Sequence, residues 1–206
     1  NNTIGIAGVC WNCKIMPVRA CYKAADNDSY TDIEAASYAI KYAADNNANV
    51  ISMSWGFDED IPQLHEAVQY AYSQGCLLIA SAGNVKAESK KHYPAAYEEV
   101  IAVAATNPSD EPWKEEPLGS RSNSGDWIEV AAPGVYIYST VCNDSYVAWR
   151  GTSMAAPHVA GAAALIWSRF GLNMTRIEAR EMVRRQLRWF ASEDFGVPGK
   201  DDYFGY

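Results

Sequence analysis

Apolar positions along the chain follow two alternating rhythms. Short, near-continuous apolar runs at 14–20 (KIMPVRA), 49–55 (NVISMSW), 76–83 (CLLIASAG), 99–106 (EVIAVAAT) and 127–134 (WIEVAAPG) predict strands. Between them lie segments with helical spacing. In 30–48, Ile33, Ala36, Ala39, Ile40 and Ala43 recur at three- and four-residue steps, and Thr31 with Glu34 predicts a capping box. In 61–75, a stripe of Leu64, Ala67, Val68 and Ala71 ends at Gly75, a residue suited to the turn that closes a helix. The stretches 134–140 (GVYIYST) and 146–151 (YVAWRG) predict a β-excursion. From Ala155 to Trp167 small apolar residues occupy every face, which predicts a helix buried all round. Pro157 is tolerated in a first turn, so that helix is expected to begin near Thr152–Ser153.

Strands that read as continuous apolar runs are buried on both faces, and helices sit between these ones. The economical fold is α/β: three layers, with a mostly parallel sheet covered by helices on both faces. No repeat or linker interrupts residues 1–206, which predicts a single domain. In such sheets functional groups gather at the carboxyl ends of strands. Three places qualify: Ser54-Trp55-Gly56, Ser81-Ala82-Gly83-Asn84, and the approach to Ser153.

Composition narrows the picture. With 206 residues, 49% of them hydrophobic, the chain can bury one substantial core. A formal net charge of −8 argues against nucleic acid, whose phosphates require a basic face. No run has the apolar length of a membrane span. The chain opens on NNTIGIAGVCWNC without Met and closes on GKDDYFGY; both ends read as cut, which predicts a fragment of a longer chain. Five cysteines are present. Cys10 and Cys13 form a CxxC without a second pair, so a local disulfide or two free thiols is expected before zinc. Cys76 opens an apolar run and is expected in the core. Sequons at Asn1, Asn27, Asn143 and Asn173 are compatible with an extracellular, secreted protein.

Ser153 stands where a helix begins, so it meets the positive end of the helix dipole. Position alone favours a plain cap over a nucleophile. His158, five residues on, points about 140° away on the same helix and is expected to be a packing residue. His65 is expected on a solvated face, and His92, in a loop, could approach the cleft.

The stretch GTSMAAPHVAGAAALI (151–166) resembles the serine-nucleophile motif of the subtilisin-like serine proteases. LLIASAGN (77–84) and VISMSWG (50–56) resemble two further motifs of that family, and YPAAYEEVIAVAAT and SNSGDWIEVAAPG agree in order and spacing. The resemblance implies roles residue by residue. Ser153 is the nucleophile, and Asn84 donates its side-chain amide to the oxyanion beside the Ser153 N–H. Ser54, Trp55 and Gly56 on one side, and Ser81, Ala82 and Gly83 on the other, line the cleft for an extended peptide or protein substrate. Trp55 is larger than is usual in the family at this point and is expected to narrow or cover the pocket. Tyr30 borders a distant subsite or starts the helix. Asn2, Ile4 and Ile6 correspond to a calcium loop whose carboxylate lies upstream, so calcium is expected to bind weakly, in a structural role, with no cofactor needed for chemistry.

The family's triad runs Asp, His, Ser along the chain. Neither the Asp-ended strand nor the His-Gly-Thr-His-like helix occurs in residues 1–206. The chain alone is therefore expected to be inactive. The resemblance places the Asp-bearing strand between KIMPVRA and NVISMSW, so that slot is expected to be filled by the missing N-terminal segment, by a second copy, or by direct closure. A serine endopeptidase fragment and a non-catalytic peptide-binding scaffold are the two readings, separated by whether Ser153 takes a fluorophosphonate label once the missing segment is restored.

Overall fold

The computed structural model describes residues 4–23, 29–85, 90–115, 119–189, 191 and 199–206. In chain order the elements are β1 (Cys21–Lys23), β2 (Ser29–Thr31), α1 (Ile33–Asp45), β3 (Val50–Met53), α2 (Pro62–Ser73), β4 (Leu77–Ser81), β5 (Asn84–Val85), β6 (Val100–Thr106), β7 (Lys114–Glu115), β8 (Ser120–Ser122), β9 (Val130–Pro133), β10 (Ile137–Val141), β11 (Ser145–Trp149), α3 (Thr152–Phe170) and α4 (Arg176–Trp189). The central sheet runs β3-β4-β6-β9 with every pairing parallel.

Side chains alternate through this sheet into two apolar clusters. Leu78, Ala80, Val100 and Ala102 face α1 and α2. Leu77, Ile79, Ile101 and Val103 face α3 and α4. The three-layer α/β expectation therefore holds, and for the expected reason: β4 and β6 are buried along their whole length. Cys76 is fully buried, and Cys10 is joined to Cys13 in a disulfide.

Several expectations fail locally. Residues 14–20 form no strand, and Ile15 is 84% exposed. Pro17 has no N–H for a ladder, and the run pairs with no described strand. Pairing begins only at Cys21, in the small antiparallel hairpin β1–β2. Direct closure of the slot is thus not seen: β3 pairs with β4 alone among the described strands. The cap of α1 is Asp32, whose carboxylate accepts from the Glu34 N–H at 2.7 Å; Thr31 is held in the hairpin opposite Cys21 instead.

Helix α3 begins where expected but is not buried all round. Ala155, Ala156, Val159, Ala163 and Trp167 face the core, whereas Leu165 is exposed. The sheet and α4 cover one side; on the other, Val9 packs over Gly161. Pro157 sits in the second turn, not the first. Its missing N–H leaves the Ser153 carbonyl without an intrahelical donor, and that carbonyl accepts the Ser54 hydroxyl at 2.9 Å. Helix α4 lies outside every sequence expectation above. It buries Ala179, Met182 and Val183 and pairs Arg184 and Arg188 with the buried Glu129.

Candidate active site

The carboxyl ends of β3 and β4 and the amino end of α3 meet at one place. The chain leaves β3 at Ser54 and β4 at Ala82, and parallel pairing of the two strands sets those exits side by side. Gly151 precedes α3 with φ +134°, a conformation that L side chains rarely adopt, and so turns the chain into the helix.

Thr152, fully buried, joins the pieces. Its N–H donates to Asn84 Oδ1 at 2.9 Å, its hydroxyl donates to the same oxygen at 3.0 Å, and the hydroxyl oxygen accepts the Gly83 N–H at 3.0 Å. Asn84 is thus fixed by its carbonyl end. Its Nδ2 donors have no hydrogen-bond partner among the described residues, and the side chain is exposed. A Cβ added at Gly151 would lie 3.2 Å from that Nδ2, which measures how closely the amide approaches the start of α3.

Ser153 follows directly. Its hydroxyl donates to the Ser54 carbonyl at 3.4 Å, a weak contact that leaves the oxygen accessible. It opens onto a recess of about 380 Å³ lined by Tyr136, Ala148, Trp149, Arg150 and Met154. An Arg150–Glu115 ion pair ties the approach strand to β7. Ser153, Asn84, Ser54, Gly56 and Gly83 are therefore brought together. Ser81 and Ala82 stand behind them, buried, with Ala82 N–H bonded to Val103.

Trp55 is expected from its size to narrow or cover the pocket. It is half-buried, packed on the α1–α2 side of the sheet and edge-on to Phe57 at 6.1 Å. Between the two walls stands His92, whose ring contacts both Gly56 and Gly83. The sequence allowed His92 near the cleft without giving it a place there, and it marked Thr152 only as the start of a helix; only their nearness to recognised motifs could have pointed to either role.

The histidines have other partners. His158 bonds through Nδ1 to the Met154 carbonyl of its own helix at 2.8 Å, in keeping with a packing role. His65 is not on a solvated face: it stacks on Tyr97 at 4.0 Å, with Nε2 3.2 Å from Glu99. His92 Nδ1 lies 3.1 Å from Asp58. Tyr30 is exposed in β2, tilted against Tyr22. Ile4 and Ile6 are exposed, and Asn2 lies outside the described residues. Among the described residues no three His, Cys, Asp or Glu side chains form a metal-binding group, and no helix is long and apolar enough to cross a membrane.

A sequence model of the subtilase family matches residues 1–206. The chain is 43% identical over 206 residues to the thermophilic serine proteinase of Bacillus sp. (strain AK1), covering 100% of this chain and 46% of that protein. It is 36% identical over 206 residues to the minor extracellular protease Epr of Bacillus subtilis (strain 168), covering 30% of that protein. The chain thus spans half or less of the length of these curated relatives. Among solved structures, S41 psychrophilic protease superposes with a TM-score of 0.69 at 30% identity, over 87% of this chain and 64% of its own.

Proposed function

The chain belongs to the subtilase family, and from that premise we propose that it is the nucleophile-bearing part of a subtilisin-type serine endopeptidase. The observation that carries this reading is the Thr152 junction, which seats the Asn84 amide beside the residue preceding Ser153. In the proposed reaction Ser153 Oγ attacks the carbonyl carbon of an extended peptide. Its proton passes to a base, and the developing oxyanion takes hydrogen bonds from Asn84 Nδ2 and the Ser153 N–H. The same base then protonates the leaving amine, and water releases the acyl group from Ser153.

That base is not one of this chain's described histidines. His65, His92 and His158 are each engaged with other groups. In this reading the acid and base are supplied by polypeptide outside residues 1–206, and we place its docking along the outer edge of β3. Two features support the edge: β3 has a partner on one side only among the described strands, and its Val50 and Ile51 contribute to opposite core clusters while remaining half-exposed. A parallel strand added there would extend both apolar layers. Calcium has no part in this chemistry. Residues 1–6, NNTIGI, contain no Asp or Glu, so a loop built on them would bring only neutral oxygens and hold calcium weakly. The Cys10–Cys13 disulfide favours an oxidising, extracellular setting.

The test is a fluorophosphonate probe with peptide mapping. The full-length protein is expected to label at Ser153 and to cleave casein, and residues 1–206 alone to do neither. Absence of label in a folded full-length protein would favour the peptide-binding scaffold.

A further inference from the structure

Residues 4–13 lie over α3 and belong to neither apolar cluster. Val9 sits so close to the helix that a Cβ added at Gly161 would lie 2.7 Å from Val9 Cβ and 3.1 Å from its Cγ1. Toward the other end, a Cβ added at Gly5 would lie 3.8 Å from the Tyr146 hydroxyl on β11. The segment therefore reaches from the β10–β11 hairpin to the middle of α3, the two elements that line the Ser153 recess. Ile4 apart, its hydrogen bonds among the described residues are internal. The Cys13 N–H donates to the Cys10 carbonyl at 3.4 Å, and Trp11 Nε1 donates to the Gly8 carbonyl at 2.9 Å. Its seat on α3 thus rests on packing, and an element held in that way opens locally before the rest of the fold.

The Cys10–Cys13 disulfide closes the turn that follows Val9 directly. Its sequence separation is three. A ring that short removes little entropy from the unfolded chain, so it adds little to the stability of the whole molecule. What it does is local: it fixes the turn that presents Val9 to Gly161. Both cysteines are half-exposed, and with Val9, Trp11, Leu165 and Ser168 they line a recess of about 270 Å³ against α3. Exposed disulfides are the labile ones, and the C-x-x-C spacing is that of disulfides that exchange with thiols.

We propose that Cys10–Cys13 is a thiol–disulfide exchange site, opened by a dithiol reductant, and that opening it unseats residues 5–13 from α3 and lowers the reactivity of Ser153. One thiolate of the dithiol attacks a cysteine sulfur; the Cys10–Cys13 bond breaks and the other cysteine leaves as a thiolate that takes a proton. The second thiol of the reductant then attacks the mixed disulfide and releases the first cysteine. Both cysteines end as thiols, and the dithiol, having lost two hydrogens, ends as a disulfide. The link to Ser153 rests on the protease reading. In the order Asp, His, Ser the base-bearing polypeptide precedes this segment, so the segment tethers it beside the hairpin and the start of α3. The oxidised form holds that tether in place, and the reduced form loosens it.

The full-length protein, oxidised and after dithiothreitol, tests it by alkylation and amide hydrogen exchange read in a mass spectrometer, beside kcat/KM on a peptide p-nitroanilide. Dithiothreitol is expected to make Cys10 and Cys13 alkylatable in the folded protein and to speed exchange in 5–13 at least about tenfold, with β4 and β6 unchanged. The expected fall in kcat/KM is at least about fivefold, the lower end of ordinary coupling between two sites, and it should reverse on reoxidation. Cys10→Ser combined with Cys13→Ser should reproduce the reduced values and no longer respond to dithiothreitol. Gly161→Ala, which displaces Val9 with the disulfide intact, should move both readouts the same way, although alanine by itself strengthens a helix. A disulfide that resists dithiothreitol, unmoved exchange in 5–13, an unchanged kcat/KM once the segment has opened, or global unfolding on reduction overturns the proposal. An oxidised protein that hydrolyses nothing, yet opens at 5–13 on reduction, would overturn the protease reading and leave the exchange site standing.

Discussion

Thr152→Val isolates how much of the site's geometry hangs on one hydroxyl. Valine keeps the β-branch and the volume, so packing at this fully buried position is preserved. The loss is of two bonds: the Gly83 N–H acceptor and one of the two donors to Asn84 Oδ1, both at 3.0 Å. The Gly83 N–H is left without its acceptor, which costs about 1–3 kcal/mol of stability. Asn84 keeps only the Thr152 N–H, at 2.9 Å, to orient its amide. In subtilisin the whole side-chain donor is worth about 2.7–4 kcal/mol of barrier, which sets the ceiling. Loss of one anchor of two should remove about half of that, or about 10- to 30-fold in kcat. KM should change little, since the amide acts on charge that exists only in the transition state. The assay is kcat and KM on a peptide p-nitroanilide with the full-length protein, beside urea unfolding of the same samples. Thr152→Ser, which restores the hydroxyl, should recover most of kcat. A Val variant that loses stability but keeps kcat, or a Ser variant that fails to rescue it, would refute the orienting role.

Glu129, 5% exposed, accepts from Arg184 at 2.6 and 2.8 Å and from Arg188 at 2.9 Å. Glu129→Gln strands Arg184 and should cost about 3 kcal/mol by urea unfolding, the low end for a broken buried pair because Arg184 keeps the Glu98 carbonyl; a loss under about 1 kcal/mol would contradict this. Iodoacetamide on the native, unreduced protein should alkylate the exposed Cys21 and Cys142 and spare Cys76, which is buried and whose thiol is pushed up by that burial; early modification of Cys76 in the mass spectrum would mean that α4 does not cover it. The Glu178 carboxyl is held below its ordinary value of 4.5 by the Thr175 hydroxyl and then by the Thr175 N–H. Because the folded value is the lower one, this contribution is complete above the ordinary range and fades as pH falls through the depressed value. Glu178→Gln should therefore flatten the acid limb of a stability–pH curve, and parallel limbs for the two proteins would count against it.

What could be read in the letters, and what could not, divides along a physical line. The buried strands announced themselves because β4 and β6 have no solvent face to vary, so LLIAS and VIAVAAT are apolar throughout. The run at 14–20 looked the same and failed, since an apolar run states only a preference for burial and cannot supply the neighbour that buries it. Helix α4 hid because arginine dominates it: RIEAREMVRRQLRW has a thin apolar stripe, and Arg184 and Arg188 are both spent on the buried Glu129. Its start was nonetheless written, as Thr175 followed three residues later by Glu178, the pair that closes a capping box in the structure. At the site, Ser153 and Asn84 stood out through their motifs, while Thr152 and His92 did not. Their roles are defined by contacts across 68 and 69 residues in one case and by wedging between two glycines in the other, and neither leaves a local pattern.

The bonds that shape the site explain how the proposed nucleophile and oxyanion donor can be set without the base. Thr152 holds Asn84 and Gly83, Ser54 takes the carbonyl that Pro157 releases, and the sheet fixes the spacing of the strand ends that carry them. All of these lie inside residues 1–206. Under the proposed function the acid and base then have one task, which is to bring an imidazole within hydrogen-bond reach of an oxygen already in place. On this view polypeptide added at β3 restores proton transfer and leaves the electrostatic part of the site unchanged.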